Sequence, residues 1–222
     1  MLRGKHRGGG AVARAKKQEM RVVALRKRMS LDPEALAAQS SLVAANVLSL
    51  REYAGARLIA SYCAKDDEVQ TKAIIERALK DGKRVAVIVT DVPSKTLAFS
   101  EIESFEDDLA PGTFGILEPK GDRARPVPLT EADVVLVPLL AWDEKGQRLG
   151  YGAGYFDRAL AGAPRITKVG LGLESQRLPD IPTSRHDVPL DIVVTEKRVV
   201  RPARRPGWRV EKAFKNRGRR SR

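Results

Sequence analysis

The amino-acid sequence predicts an α/β fold: a mostly parallel central sheet with helices on both faces, in a Rossmann-like three-layer arrangement. Three observations predict it. Residues 84–90 (RVAVIVT) and 133–138 (DVVLVP) are near-continuous apolar runs of strand length, the pattern of strands buried on both faces. A helical stretch at 70–81 (QTKAIIERALKD) separates the first of these from an earlier strand candidate at 57–62 (RLIASY), the order of a right-handed βαβ unit. A Gly-x-Gly-x-Gly run at 150–154 follows the 133–138 strand and opens another helix, so ligands are expected at the carboxyl ends of the strands.

The elements follow in order. Residues 1–13 are Gly-rich and basic with little to bury, and disorder is expected there. A helix is expected from about Ala15. Val22, Leu25 and Met29 make its apolar stripe, and Lys17, Arg21 and Arg28 lie close together on another side at 100° per residue. Asp32-Pro33 combines a good N-cap with a residue favoured at the first helical position, so a second helix runs to about Ser49. Gly82 stops the 70–81 helix. Residues 91–130, rich in Pro, Gly and acids, carry no clear periodicity. A helix at about 155–162 and strands at 168–173 and 191–195 complete one domain over 14–200, with a basic, flexible tail at 201–222.

Composition narrows the function. The net charge of +13 invites a nucleic-acid reading, but its distribution does not. Residues 1–30 hold ten Lys/Arg against one acid, and residues 196–222 hold twelve against two, so the body between them is net acidic. The two ends, with Trp208 and Phe214, suit nonspecific contact with nucleic acid, and the folded body is expected to do something else. The one cysteine, Cys63, excludes an intramolecular disulfide and is in keeping with a reducing compartment. No run approaches the ~20 apolar residues of a membrane span, and no apolar core follows the basic start, so no membrane partner and a cytoplasmic location are expected.

The chemistry concentrates at 137–158 (VPLLAWDEKGQRLGYGAGYFDR). Three glycines in five residues let backbone N–H groups approach phosphate oxygens. Arg148 precedes them with a two-pronged cation, and Asp157 follows with an oxygen ligand for a divalent metal. The run has neither the Gly-Lys-Ser/Thr of a P-loop nor dinucleotide-binding spacing. Glycines alone also mark a tight turn with no ligand. Cys63 reads as a buried small residue, and His186 as a structural histidine in a Pro-rich loop.

Residues 148–157 (RLGYGAGYFD), preceded by Pro138-Leu-Leu-Ala-Trp-Asp143, resemble the signature of the 5-formyltetrahydrofolate cyclo-ligase family. The resemblance covers roughly 15–195. It includes the basic first helix, Glu68-Val-Gln-Thr71, Phe114-Gly-Ile-Leu-Glu-Pro119 and His186-Asp-Val-Pro-Leu-Asp191, and excludes both tails. It implies that Lys17 and Arg21 contact ATP phosphates, with Lys16 as the other candidate lysine, and that Lys17 and Arg148 are the catalytic cations. It places Arg148, Leu149, Gly150, Tyr151, Gly152, Ala153 and Gly154 around the triphosphate, with Tyr155 and Phe156 lining the nucleotide or folate pocket. Glu68 would bind the folate, together with Cys63, Tyr151, Gly152, Gly154 and Tyr155, while Asp157 and Asp191 match the family's magnesium acids. Ala153 stands where some members carry a lysine. The implied reaction uses ATP and Mg2+ to close 5-formyltetrahydrofolate, in a protein expected to be a monomer. Basic ends would suit polyglutamylated folate. The rival readings are a nucleic-acid binder working through its tails and a diverged relative that binds without turnover.

Overall fold

The structure, a computed structural model, describes residues 8–203, with side chains from Val12 onward. Residues 1–7, and the tail from 204 with Trp208 and Phe214, lie outside the described residues. In chain order the elements are α1 (Gly8–Met29), α2 (Pro33–Leu48), α3 (Arg51–Gly55), β1 (Leu58–Ser61), α4 (Lys72–Lys80), β2 (Arg84–Asp91), β3 (Thr96–Ile102), α5 (Phe105–Asp108), β4 (Leu109–Pro111), β5 (Leu117–Pro119), β6 (Val134–Pro138), β7 (Ala141–Trp142), β8 (Arg148–Leu149), α6 (Tyr155–Ala161), β9 (Thr167–Leu171), β10 (Ile192–Val194) and β11 (Val199–Val200).

Seven strands form the central sheet in the order β11-β10-β9-β6-β1-β2-β3. The inner five are parallel, and β3 and β11 close the two edges antiparallel. The apolar runs explain the inner strands: Val85, Val87, Val137, Val169 and Val193 are fully excluded from solvent, as a strand covered on both faces requires. From β1 the chain steps to β2 through α4. From β6 it steps the other way, to β9, through α6. At the single hand such crossovers take, α4 and α6 cover opposite faces. The winding therefore reverses between β1 and β6, and the carboxyl ends of these neighbours form the crevice where ligands of open α/β sheets bind.

Local chemistry sets the element ends. The Asp32 carboxylate accepts from the Ala35 N–H at 2.8 Å, capping α2, and Pro33 opens it. The unassigned stretch 91–130 contains β3, paired along its length with β2, and the β4–β5 hairpin. Its strands are short or only half buried, so they lack the apolar runs that mark the inner sheet.

Helix α1 departs from expectation twice. It begins at Gly8, so residues 8–13 are helical where disorder was expected. It is also turned the other way round. Val22 is 42% and Met29 76% exposed, whereas the Lys17 and Arg28 cations of the opposite side are buried. Of the expected stripe only Leu25 is half-buried, while Val22 and Met29 face outward because the body offers α1 acceptors: carboxylates and carbonyls meet Lys17, Arg21, Lys27 and Arg28. Its apolar contact is a small cluster in which Met20 and Ala24 pack against Ala141, Leu149 and Ile181.

Candidate functional site

The glycine run emerges from the β7–β8 hairpin and enters α6. Gly152 (φ +99°) and Gly154 (φ +73°) occupy left-handed backbone conformations that glycine adopts without strain. A Cβ on Gly152 would stand 3.1 Å from the Arg21 guanidinium carbon, so the glycine also leaves room for that cation. Leu149 is buried core beneath the loop, Ala153 is exposed, and Tyr155 and Phe156 are half-buried at the start of α6. The Arg158 guanidinium lies 5.5 Å from the Tyr155 ring centre.

Three cations of α1 reach the loop or its surroundings. Lys17 pairs with Asp187. Arg21 donates through Nε to the Gly150 carbonyl at 2.9 Å. Arg28 donates to the Tyr151 hydroxyl and lies 5.1 Å from that ring's centre. Of the two lysine candidates, Lys17 is buried and Lys16 is exposed. Burial alone would raise the Asp187 carboxyl, but the Lys17 ammonium and the Ser184 N–H outweigh it and hold the group below its ordinary range. Arg148, with 6% of its side chain exposed, pairs with Asp157 at 2.7 Å and donates to the Val188 carbonyl. Burial pulls its guanidinium down, and Asp157 opposes this.

The segment after β1 supplies the acidic side. Glu68 is buried, accepts from the Lys65 N–H at 3.1 Å and from the Tyr151 hydroxyl at 3.2 Å, and lies 3.5 Å from Arg28 Nη1. Arg28 also pairs with Asp67 at 2.8 Å. Tyr151 is half exposed, and burial followed by Glu68 pushes its phenol up to about 12. Beside this segment lies a cleft of about 500 Å³ lined by Cys63, Lys65, Gln70, Phe114 and Leu117. Cys63 is a wall of that cleft. Burial pushes its thiol up to about 12, which keeps it neutral and removes it as a nucleophile.

Asp157 and Asp191 are not brought together. Asp191 directly precedes β10, at the amino end of the strands. Its Oδ2 accepts from the Lys168 backbone N–H at 2.9 Å and from the buried Lys168 ammonium at 3.2 Å. The expected two-acid metal pair is corrected on this geometry: Asp191 neutralises a buried lysine. Asp157 holds Arg148 and accepts from the Val188 N–H at 3.1 Å. Among the described residues no group of three or more His, Cys, Asp and Glu side chains could hold a metal. The exposed His186 accepts from its neighbour Arg185 at 2.9 Å.

Comparison with known proteins fixes the family. The family model described as the 5-formyltetrahydrofolate cyclo-ligase family matches residues 13–196. The chain belongs to that family. It is 33% identical over 182 residues to the 5-formyltetrahydrofolate cyclo-ligase of Haemophilus influenzae, covering 81% of this chain and 97% of that one. Against the Escherichia coli enzyme of the same name the identity is 31% over 176 residues, covering 78% and 96%. The solution structure of the Aquifex aeolicus 5,10-methenyltetrahydrofolate synthetase superposes with a TM-score of 0.74 at 32% identity, covering 90% of this chain and 98% of that one. A Mycoplasma pneumoniae synthetase, at 21% identity and a TM-score of 0.66, shares the fold. Residue-by-residue reading of the sequence did not assign Asp67, Asp187 or Arg28 to the site. Only the shared helix side of Lys17, Arg21 and Arg28 hinted at the last.

Proposed function

We propose that the protein converts 5-formyltetrahydrofolate to 5,10-methenyltetrahydrofolate with ATP and Mg2+. The γ-phosphoryl group passes to the formyl oxygen on N5, N10 attacks the activated carbon, and phosphate leaves as the ring closes, giving ADP and phosphate. The observation that carries this reading is the meeting, at the β1/β6 crevice, of a cationic glycine loop with a buried carboxylate.

In this reading Lys17, Arg21 and Arg148 face the triphosphate, and the N–H groups of 150–154 orient it. Glu68 takes the donor edge of the pterin through a paired hydrogen bond, and the cleft beside Cys63, Lys65 and Phe114 takes the body of the folate. Tyr155 and Phe156 shield the reacting groups from water. Mg2+ typically binds through substrate phosphates plus one or two carboxylates, and the donor set here fits that mode: Asp157, beside Arg148, is the carboxylate that would hold it. When bound, the ion neutralises developing charge on the transferred phosphoryl group. Asp191 has no part in this. No nucleophilic side chain is required, in keeping with the neutral Cys63. No helix among the described residues is long and apolar enough to cross a membrane. We place the enzyme in the cytoplasm as a monomer.

The test mixes the protein with (6S)-5-formyltetrahydrofolate, ATP and Mg2+ in mildly acidic buffer and follows the near-ultraviolet absorbance of the methenyl product. Product should form only with all three present. Arg148→Met should lower turnover roughly 100-fold or more, as loss of a preorganised charge donor does. No product from folded protein would refute the reading.

A further inference from the structure

Arg28 is buried, and a mere helix anchor would be expected to have all its donors paired. Its Nη1 has none: it is buried, without a hydrogen-bond partner, 3.5 Å from Glu68 Oε1. That same Oε1 accepts from the Tyr151 hydroxyl, which in turn accepts from Arg28 Nη2. The phenol is thus shared between the acid after β1 and the cation of α1. Its own residue sits between Gly150, whose carbonyl Arg21 grips, and Gly152, against which the Arg21 guanidinium packs. A continuous chain of contacts runs from Glu68 through Arg28 and Tyr151 to Arg21.

We infer that Arg28 is a positioning residue that couples the folate and nucleotide half-sites, so that each ligand tightens the binding of the other. The inference rests on the functional reading above. When a ligand's donors engage Glu68, Oε1 turns away from the phenol and closes the short gap to Nη1. Tyr151 is then held by Arg28 alone, and the glycine loop settles into the position Arg21 needs to face phosphate. Neither ligand need touch Arg28.

The coupling is a measurable ratio: the Kd of a non-hydrolysable ATP analogue with Mg2+, without and with saturating 5-formyltetrahydrofolate, by calorimetry. Reciprocity demands the same ratio when the ligands are exchanged. We expect about fivefold or more in the native protein, within the usual range of coupled sites, and a ratio near one in both Arg28→Met and Tyr151→Phe. Tyr151→Phe alters a half-exposed position and keeps the ring, so it remains informative if Arg28→Met does not fold. Lys27→Met removes a different contact docking α1, to the Ser175 carbonyl, and should leave the ratio intact. A native ratio of one, a ratio unchanged in Tyr151→Phe, or equal loss in Lys27→Met would each overturn the inference. Failure of the native protein to bind either ligand alone would instead sink the functional reading.

Discussion

Asp191→Ala separates a structural acid from a metal ligand. Lys168 is 1% exposed, and its ammonium meets one carboxylate, Asp191 at 3.2 Å, together with the Ile166 carbonyl at 3.0 Å. Removing the carboxylate leaves a buried charge with one neutral acceptor, and it strips the Lys168 backbone N–H of its partner. Breaking such a pair costs roughly 3–5 kcal/mol. About a third of the Asp191 side chain is exposed, so water solvates part of the deficit and the lower end, about 3 kcal/mol, applies. For a chain of this size that is a fall in melting temperature of about 6–12 °C. Thermal unfolding followed by circular dichroism measures it, and the double variant Lys168→Met/Asp191→Ala should recover most of the loss because no charge is then buried. Turnover well below the melting temperature should survive with an unchanged dependence on Mg2+. Native-like melting combined with a large rise in the Mg2+ requirement would refute the reasoning and return Asp191 to the metal site.

Other outcomes follow from the same geometry. Lys17→Met should raise the KM for ATP about 10–100-fold, the worth of one charged hydrogen bond, while Lys16→Met, at an exposed lysine, changes it little; steady-state kinetics at saturating folate separates them. Gly154→Ala forces an L side chain to φ +73°, costing about 1–2 kcal/mol, and sets its Cβ 3.1 Å from Arg158 Nη1, so both urea stability and turnover should fall. The Asp187 carboxyl titrates below its ordinary 3.8, so its contribution to stability is complete above that pH and is lost as pH falls through the lower native value; urea titrations should show the gap between native and Asp187→Asn protein closing as pH drops below 3.8. Cys63, 3% exposed with its thiol pushed up to about 12, should resist alkylation at pH 8 in the folded protein and react at once when unfolded, as read by mass spectrometry.

The sheet was legible wherever burial on both faces wrote itself as a continuous apolar run, as in β2 and β6. It was illegible at β3, an edge strand exposed over its first half, and at the three-residue strands β4 and β5. The glycine loop was legible because left-handed backbone needs glycine whatever surrounds it. Helix α1 misled because periodicity reports which residues share a side, and only the rest of the molecule determines which side is covered. Val22 and Met29 looked like core until Asp67, Glu68 and Asp187, distant in sequence, proved to be waiting for the cations. Asp191 misled for a related reason: its buried partner, Lys168, was hidden inside an apolar strand.

The way α1 is held has a consequence for how the protein should be assayed. Heat-capacity change and urea sensitivity both scale with the surface that unfolding exposes, and the heat-capacity change comes chiefly from hydrocarbon. The helix buries ionic groups and only a small apolar cluster, so its release uncovers little of that surface. Detachment of α1 would contribute a weak, nearly temperature-independent step beneath the large cooperative signal of the sheet. A normal melting curve therefore certifies the sheet while saying little about the helix that carries Lys17, Arg21 and Arg28. Amide hydrogen exchange along 8–29 is the measurement that tells an intact variant from one that has kept its sheet and shed its site.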